Sequence, residues 1–160
     1  MKNIAFFGGG NIAQAVIEGL IISGFKKNNI FYIDRNPLNQ KKLKKLKIKN
    51  LNKNSSKIDL FVIAVKPKDA INAYKKILND YKNPKIISFV AGIKSSKYKK
   101  INKEIEFLRA MPNTSSKFGH GVTGVFNSTF SNVNLKKVIY LLNKLGNCLL
   151  YTSDAADDLW

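Results

Sequence analysis

The sequence has few of the residues from which nucleophilic and metal chemistry is built. Cys148 is the only cysteine, so no internal disulfide can form, and a reducing cytoplasm is the location we expect. His120 is the only histidine and lies in a glycine-rich segment without a partner. Cysteine, histidine and aspartate do not occur at metal-ligand spacing, and Ser88, Ser95 and Ser96 have no base nearby. We therefore predict no metal site and assign no catalytic residue.

Long apolar runs are also absent. The stretch at residues 59–65 is among the longest, and it is far too short to cross a bilayer. The N-terminus passes from one lysine through a few apolar residues directly into glycines, which is not the pattern of a signal peptide. We expect neither a membrane span nor a leader.

Acidic residues and arginine are scarce in a chain that is rich in lysine. Ten acidic side chains stand against 28 basic ones, which gives a formal net charge of +18. Such a charge is compatible with a nucleic-acid or membrane surface. However, only Arg35 and Arg109 are arginines, although base reading and bidentate phosphate contacts favour that residue. The excess of lysine, asparagine and isoleucine favours an AT-rich coding sequence as the cause, so we expect no nucleic-acid and no membrane partner.

Strand-like apolar runs alternate with segments of helical periodicity. The spacing of apolar residues predicts strands at 3–7, 30–33, 60–65, 85–91, 105–110 and 122–126. It predicts helices at 11–24, 37–45, 68–80, 95–101 and 135–145, the last with Asn134 as its N-cap and Gly146 as its end. The lysine-rich run at 41–49 is then a solvated helix face with Leu43 and Leu46 turned inward. The alternation predicts an α/β fold: a Rossmann-type doubly wound, mainly parallel sheet with helices on both faces.

The predicted domain covers residues 1–150. Residues 151–160 (YTSDAADDLW) contain no lysine and three of the ten acidic residues of the chain. This change of composition indicates a foreign or misread tail or a truncation point, and we keep it out of the predicted fold.

The segment at residues 8–13, GGGNIA, forms a G-x-G-x-x-A pattern. It follows a predicted buried strand, opens an amphipathic helix and lies roughly 24 residues before Asp34, which is the arrangement of a dinucleotide-binding fingerprint. Gly8 would permit the tight turn, Gly10 would let the backbone approach a pyrophosphate, and Ala13 would allow close packing of helix on strand. The helix N-terminus would offer free N–H groups and the positive end of its dipole to the phosphates.

Asp34 and Arg35 follow the second predicted strand and favour different cofactors. An acidic residue at this position accepts hydrogen bonds from the ribose 2′-OH in NAD sites, whereas a nearby arginine binds the 2′-phosphate in NADP sites. Arg35 is one of only two arginines, which favours a specific role for it. We therefore expect NADPH as the cofactor and keep NADH as the alternative.

Two further strand ends are expected to face the cofactor, because ligands of open α/β sheets lie outside the carboxyl ends of the strands. Residues 64–67 (AVKP) end the third long strand, where proline fixes the turn and Lys66 either meets a phosphate or is solvated. Residues 90–92 (VAG) end the next strand, and their small side chains leave room for a nicotinamide ribose.

The chain resembles pyrroline-5-carboxylate reductases from about residue 2 to about residue 150. The resemblance rests on AVKP after a buried strand, then SFVAGI at 88–93 and LRAMPNT at 108–114, in this order and spacing. Enzymes of this family make proline by hydride transfer from NAD(P)H to the C=N carbon of 1-pyrroline-5-carboxylate. The resemblance implies a small-molecule imine substrate, and it places Asn113 and Thr114 beside the nicotinamide and the substrate entrance. The cofactor-binding residues that it implies are Phe7, Gly8, Gly9, Gly10, Asn11, Ile12, Asp34, Arg35, Asn36, Asn54, Ala64, Val65, Lys66, Pro67, Val90, Ala91 and Gly92.

The chain departs from this family in two respects. The family motif continues as MPNTP, but residue 115 is serine, so that loop is expected to be less rigid. Family members also continue into a helical domain that binds the substrate carboxylate and builds the dimer, and we expect that domain to be absent here. The full-length form is then expected to be a homo-oligomer, and this fragment a monomer that is inactive alone. The alternatives are another Rossmann NAD(P)-dependent reductase or dehydrogenase and a non-catalytic NADP-binding module.

Overall fold

A computed structural model describes residues 1–52, 57–127 and 129–151. Within these ranges the chain forms one sheet of eight strands together with five α-helices. The strands are β1 (Ile4–Phe7), β2 (Ile30–Ile33), β3 (Lys49–Asn50), β4 (Leu60–Ile63), β5 (Lys85–Ser88), β6 (Glu106–Met111), β7 (Gly121–Asn127) and β8 (Gly146–Tyr151). The helices are α1 (Asn11–Ile22), α2 (Pro37–Lys45), α3 (Ala70–Asp80), α4 (Ser95–Lys99) and α5 (Asn132–Asn143), with short 3-10 helices at Lys27–Asn29, Pro67–Asp69 and Thr114–Phe118.

The sheet is doubly wound. Its strand order is β3-β2-β1-β4-β5-β6-β7-β8, and the first six strands in this order are mutually parallel. Only β7 and β8 run the other way, since β7 is antiparallel to β6 and β8 is parallel to β7. The chain leaves β1 towards β2 and β3 and then crosses back to β4 on the other side of β1. This reversal between β1 and β4 is the point at which such sheets bind ligands.

Helices cover both faces of the sheet, each over its own apolar core. One core packs α1, α2 and α5 against the sheet, and the other packs α3 and α4 against the opposite face. Both β1 and β4 are buried along their whole length, which explains their uninterrupted apolar sequences IAFF and LFVI. Leu43 of α2 is fully buried and Leu46 packs against the same core, as predicted for the lysine-rich run. The fold class predicted from the sequence is confirmed.

Two boundary predictions near the C-terminus are wrong. The last helix begins at Asn132, because Ser131 is the N-cap and its Oγ accepts the Asn134 N–H at 3.2 Å. Asn134 therefore lies inside the helix that it was predicted to cap. Gly146 begins β8, a strand that the sequence analysis did not identify. β8 ends at Tyr151, whose ring stacks on Phe126 at 5.0 Å between centroids, whereas residues 152–160 lie outside the described residues.

Three further boundaries differ around the loops of interest. The strands expected at 60–65 and 85–91 end at Ile63 and Ser88, and the helix expected from Lys68 is a 3-10 turn at Pro67–Asp69 followed by α3. Among the described residues, no helix is both long and apolar enough to cross a membrane.

Candidate cofactor-binding site

Five loops lie in a row along one edge of the sheet, because each follows the carboxyl end of one of five neighbouring parallel strands. In spatial order the strands are β2, β1, β4, β5 and β6. Four strand spacings of about 4.8 Å make the row roughly 19 Å long, which suits a ligand with two ring systems joined by a linker. The row brings together the predicted site residues Asp34 to Asn36, Gly8 to Gly10, Ala64 to Pro67, Val90 to Gly92, and Asn113 with Thr114.

The three glycines at the end of β1 differ in the space around them. Gly8 has a φ of +102°, and a Cβ there would overlap the Ala64 carbonyl of the neighbouring strand end. A Cβ at Gly9 would overlap the side chain of Leu43. At Gly10, however, a Cβ would have no heavy atom of the described residues within 4 Å. The backbone at Gly10 therefore faces open space, as a close approach by a phosphate requires.

The N-terminus of α1 opens into this space. The helix has 12 residues and begins after Gly10; within the described structure no side chain caps it, and its first turn has no acidic residue. The first N–H groups of any helix have no intrahelical partner, and the helix dipole places partial positive charge there. An uncapped N-terminus beside an open glycine is suited to binding a phosphate.

Both backbone polar groups of Gly9 are hydrogen-bonded to side chains. Asp34 Oδ2 accepts the Gly9 N–H at 2.6 Å, and Gln14 Nε2 donates to the Gly9 carbonyl at 2.6 Å. Gln14 was not identified from the sequence, although it lies one turn into the helix that the glycines open. These two bonds fix the glycine loop between the end of β2 and the first turn of α1.

The Asp34 carboxylate bonds to protein donors with both of its oxygens. In addition to the Gly9 N–H, Oδ2 accepts the Asn39 side-chain amide at 3.1 Å, and Oδ1 accepts the Asn36 N–H at 2.6 Å. Asn36 in turn caps α2, since its Oδ1 accepts the Leu38 N–H at 2.9 Å. In this structure Asp34 therefore links the glycine loop to the start of α2.

Arg35 points outward at the same end of the row. Its side chain is 88% exposed, and its guanidinium lies 3.4 Å from the carboxylate of Asp69, which is 30% exposed. Asp69 belongs to the 3-10 turn that follows AVKP, so the ion pair joins the loops after β2 and β4. Asp69 was missed in the sequence analysis because only the fold brings it to Arg35.

The AVKP loop continues the row beside the glycines. The Ala64 N–H donates to the carbonyl of Phe7 at 2.7 Å, which keeps the two strand ends together. Ala64 and Val65 are half-buried, whereas Lys66 and Pro67 are exposed. The side chain of Phe7 lies in the core, so only its backbone reaches the row.

The loop after β5 is supported by buried polar groups. Val90 is buried, Ala91 and Gly92 are exposed, and Gly92 has a φ of +77°. The Val90 N–H donates to Ser88 Oγ at 3.2 Å, and Ser88 Oγ lies 3.1 Å from the hydroxyl of Tyr98 in α4. Burial raises the pKa of Tyr98, and the Ser88 hydrogen bond and the positive charge of Arg109 offset this only in part.

The far end of the row is formed by Asn113 and Thr114. Both are exposed, and Asn113 Oδ1 accepts the Val122 N–H at 3.3 Å. The 3-10 helix that starts at Thr114 packs against α1, and Lys117 and Glu18 form an ion pair of 3.2 Å between them. Asn54, the remaining predicted contact, lies outside the described residues.

Of the remaining reactive side chains, His120 belongs to the same connection as Asn113 and Thr114, where its N–H donates to the Ser115 carbonyl at 3.3 Å. His120 is exposed, whereas Cys148 is half-buried in β8, and burial raises the pKa of its thiol. Over the described ranges, no three histidine, cysteine, aspartate or glutamate side chains lie close enough to hold a metal ion.

These features define the class of the chain. A doubly wound parallel sheet whose switch point carries a glycine turn and an uncapped helix N-terminus is a Rossmann-type dinucleotide-binding domain. Residues 3–92 match the family model described as NADP oxidoreductase, coenzyme F420-dependent, and the chain belongs to that family.

Individual proteins with a similar sequence or structure give a more specific comparison than the family model. The chain is 32% identical over 142 residues to pyrroline-5-carboxylate reductase 2 of Bacillus subtilis (strain 168). The matched region covers 84% of this chain and 51% of the relative. It superimposes on a pyrroline-5-carboxylate reductase from Coxiella burnetii with a TM-score of 0.86 and 26% identity, covering 98% of this chain and 61% of that one. The resemblance predicted from the motifs is confirmed.

A different dehydrogenase shares the fold. The prephenate dehydrogenase from A. aeolicus matches with a TM-score of 0.80 but only 16% identity, over 99% of this chain and 62% of that one, which shows the common fold alone. The chain spans about half the length of the curated relatives that it matches.

Proposed function

We propose that this chain is the cofactor-binding part of a pyrroline-5-carboxylate reductase, which transfers hydride from NADPH to the C=N carbon of 1-pyrroline-5-carboxylate. The observation that carries the proposal is the row of five strand-end loops around the open Gly10 and the uncapped N-terminus of α1. The 32% identity to a named pyrroline-5-carboxylate reductase supports this reaction over that of other Rossmann enzymes.

NADPH is favoured over NADH by the two residues after β2. Both oxygens of Asp34 already accept hydrogen bonds from the protein, so a ribose 2′-OH would have to compete for them. Arg35 is exposed beside the same strand end, and its guanidinium can bind a 2′-phosphate with two parallel hydrogen bonds. NADH stays the alternative cofactor.

In this proposal each part of the cofactor lies at a different loop of the row. Arg35 and Asn36 would hold the adenosine end, Gly8 to Ile12 the pyrophosphate, and Ala64 to Pro67 the middle of the molecule. Val90 to Gly92 would receive the nicotinamide ribose, with Asn113 and Thr114 next to the ring. The bound nicotinamide supplies the hydride, and the residues of this chain bind and orient it. No catalytic acid is assigned.

The proposal extends to the organisation of the protein. Residues 1–150 form the cofactor domain, the substrate is a small imine, and the 160-residue chain is a monomer that does not turn over alone. Neither nucleic acid nor membrane is a partner, and the cytoplasmic location stays a prediction. The curated relatives are about twice as long as the part of them that this chain matches.

Fluorescence titration with NADPH, followed by a turnover assay, tests the proposal. We would titrate the 160-residue chain and a chimaera in which it continues into the second half of the Bacillus subtilis relative. Both should bind NADPH, and only the chimaera should oxidise it when pyrroline-5-carboxylate is added. Arg35→Ala should weaken NADPH binding in both proteins and leave NADH binding nearly unchanged.

Three outcomes would contradict the proposal. Failure of the chain to bind either nucleotide would contradict the proposed cofactor site. Turnover by the 160-residue chain alone removes the need for a second part. A chimaera that binds NADPH but reduces nothing supports a non-catalytic binding module.

A further inference from the structure

A series of buried, hydrogen-bonded polar groups lies directly behind the loop at Val90 to Gly92. The hydroxyl of Tyr98 is 3.1 Å from Ser88 Oγ, which accepts the Val90 N–H at 3.2 Å. Tyr98 and Ser88 are both fully buried. Only the loop faces the proposed cofactor, and the function proposed above gives these two hydroxyl groups no role.

The Ser88 hydroxyl lies where the strand becomes a loop. Ser88 is the last residue of β5 and pairs with Ile63 of β4 on one side and Arg109 of β6 on the other. Phe89 still donates its N–H to the Ile63 carbonyl at 2.8 Å, but the Val90 N–H bonds to a side chain. Because a buried N–H requires an acceptor, the position of Ser88 Oγ determines where the backbone turns at Val90.

A serine hydroxyl can rotate, so it needs a fixed partner to hold one position. Tyr98 provides that partner, since its ring stacks on Phe107 at 4.4 Å and meets Tyr74 edge-on at 5.1 Å between centroids. The positive charge of Arg109, a residue only 1% exposed, acts on the same tyrosine. The Tyr98 hydroxyl is therefore fixed by the aromatic cluster below the loop.

We propose that Tyr98 and Ser88 are positioning residues. The Tyr98 hydroxyl orients the Ser88 hydroxyl, which holds the Val90 N–H and so sets the loop that receives the nicotinamide half of the cofactor. Neither side chain touches the cofactor. The inference rests on the proposed function, because it requires a nicotinamide at this loop.

Removing one hydroxyl at a time tests the positioning role. We would prepare Tyr98→Phe and Ser88→Ala in the 160-residue chain and measure dissociation constants for NADPH and for 2′,5′-ADP, which has the adenosine and 2′-phosphate end but no nicotinamide. The Kd for NADPH should rise about threefold to tenfold, the effect of one lost hydrogen bond, while the Kd for 2′,5′-ADP stays unchanged. The fluorescence of the bound nicotinamide should fall, because its ring is less well held.

Tyr74→Phe is the matched control. Tyr74 is fully buried in the same aromatic cluster, but its hydroxyl donates to the Asn102 carbonyl at 3.2 Å, away from the loop. This variant should leave both dissociation constants at the wild-type values, even where it lowers the thermal unfolding midpoint.

The results separate positioning from general stability. Equal weakening of both ligands, no weakening of either, or the same selective loss in Tyr74→Phe would each overturn the positioning role. Should Tyr98→Phe not fold, Ser88→Ala decides by the same comparison. A wild-type chain that binds neither ligand contradicts the proposed function itself, whereas one that binds both with no selective loss in the variants contradicts only the positioning role.

Discussion

Two carboxylates near the end of β2 have opposite relations to the proposed cofactor. Asp34 is turned inward and holds the glycine loop, so it takes part in building the site. Asp69 is half-buried and pairs with Arg35, the side chain that would bind a 2′-phosphate. A phosphate and the Asp69 carboxylate would therefore compete for one guanidinium, and Asp69 would reduce the preference for NADPH.

Asp69→Asn should consequently strengthen NADPH binding. Removal of the competing negative charge should lower the Kd for NADPH by about twofold to fivefold, the modest effect expected for an ion pair whose guanidinium is largely exposed. The Kd for NADH should not change, because NADH has no 2′-phosphate. Fluorescence titration of both nucleotides measures the difference.

Two further variants control for that result. Asp80→Asn removes a carboxylate from another exposed ion pair, with Lys76 at 3.0 Å, and should change neither affinity. In an Arg35→Ala background, Asp69→Asn should have no effect on NADPH. A gain that persists without Arg35, or an equal gain for NADH, would contradict competition for the guanidinium.

At the scale of secondary-structure elements, the glycines between β1 and α1 are expected to differ in their effects on stability and on NADPH binding. Gly10→Ala should leave the thermal unfolding midpoint close to wild type, because Gly10 has a φ of −72° and open space where the Cβ would be. The added methyl group should nevertheless weaken NADPH binding at least tenfold, since it occupies the space in which we place the pyrophosphate. Calorimetry and fluorescence titration give the two readings.

Gly8→Ala is the comparison for this variant. Gly8 has a φ of +102°, and its Cβ would overlap the backbone of Ala64, so the substitution should lower the unfolding midpoint as well as NADPH affinity. Normal NADPH binding by Gly10→Ala would show that the pyrophosphate does not lie over this glycine.

Glu106 connects β6 to the start of α5, and the connection depends on pH. Its carboxylate accepts the Ser131 N–H at 2.9 Å and the Asn134 amide at 2.8 Å. Burial raises its pKa, but these hydrogen bonds and the nearby Lys85 outweigh burial and lower the pKa below the ordinary value of 4.5. Since the folded pKa is the lower one, the carboxylate stabilises the fold above the unfolded pKa, and this contribution is lost as the pH falls through the folded value.

Glu106→Gln should therefore lower the unfolding midpoint at pH 7, and the difference from wild type should shrink as the pH falls below about 4.5. Thermal unfolding across a pH series measures it. The exposed neighbour Glu104 supplies the control, as Glu104→Gln should follow the wild-type curve. A destabilisation by Glu106→Gln that is equally large at low pH would mean that the lost interaction does not depend on the charge.

The bounds of an element could be predicted where neighbouring residues in the sequence determine them. They could not be predicted where contacts with distant residues determine them. β2 and α2 have the bounds expected from the sequence, because an apolar run and the Asn36–Pro37 start are local signals. The start of α5 was misplaced because serine and asparagine are both common N-cap residues, and the sequence does not show that the Ser131 N–H is held by Glu106 of β6. β8 was missed because it is a half-exposed edge strand that lacks a clear apolar pattern.

The same distinction holds for the site. The glycine turn, Arg35, AVKP and the VAG loop are local motifs, so their common edge follows from the predicted parallel sheet. The partners of Gly9 and Arg35, namely Gln14 and Asp69, depend on side-chain directions and on the crossing between β2 and β4. The Tyr98–Ser88 contact requires the packing of α4 against β5, which no motif in the sequence indicates.

For the whole molecule, the net charge of +18 raises the question of a polyanion as partner. Arginine contributes little to the positive charge of the surface, because Arg109 is 1% exposed and Arg35 is paired with Asp69. The exposed positive charge therefore belongs almost entirely to lysine, which binds phosphates as a point charge without bidentate geometry. Binding of this kind comes from counterion release and weakens steeply as salt increases.

Filter binding of DNA across a salt series should accordingly show retention at low salt and almost none at physiological salt. Arg35→Ala should bind DNA as the wild type does while losing NADPH affinity, because the charge of one arginine is a small part of a total of +18. Saturating NADPH should not displace DNA at low salt, since the lysines are not confined to the cofactor row. Retention at physiological salt would instead indicate a nucleic-acid surface, and the lysine excess would then have a function beyond composition. Displacement by NADPH would show that this surface overlaps the cofactor site.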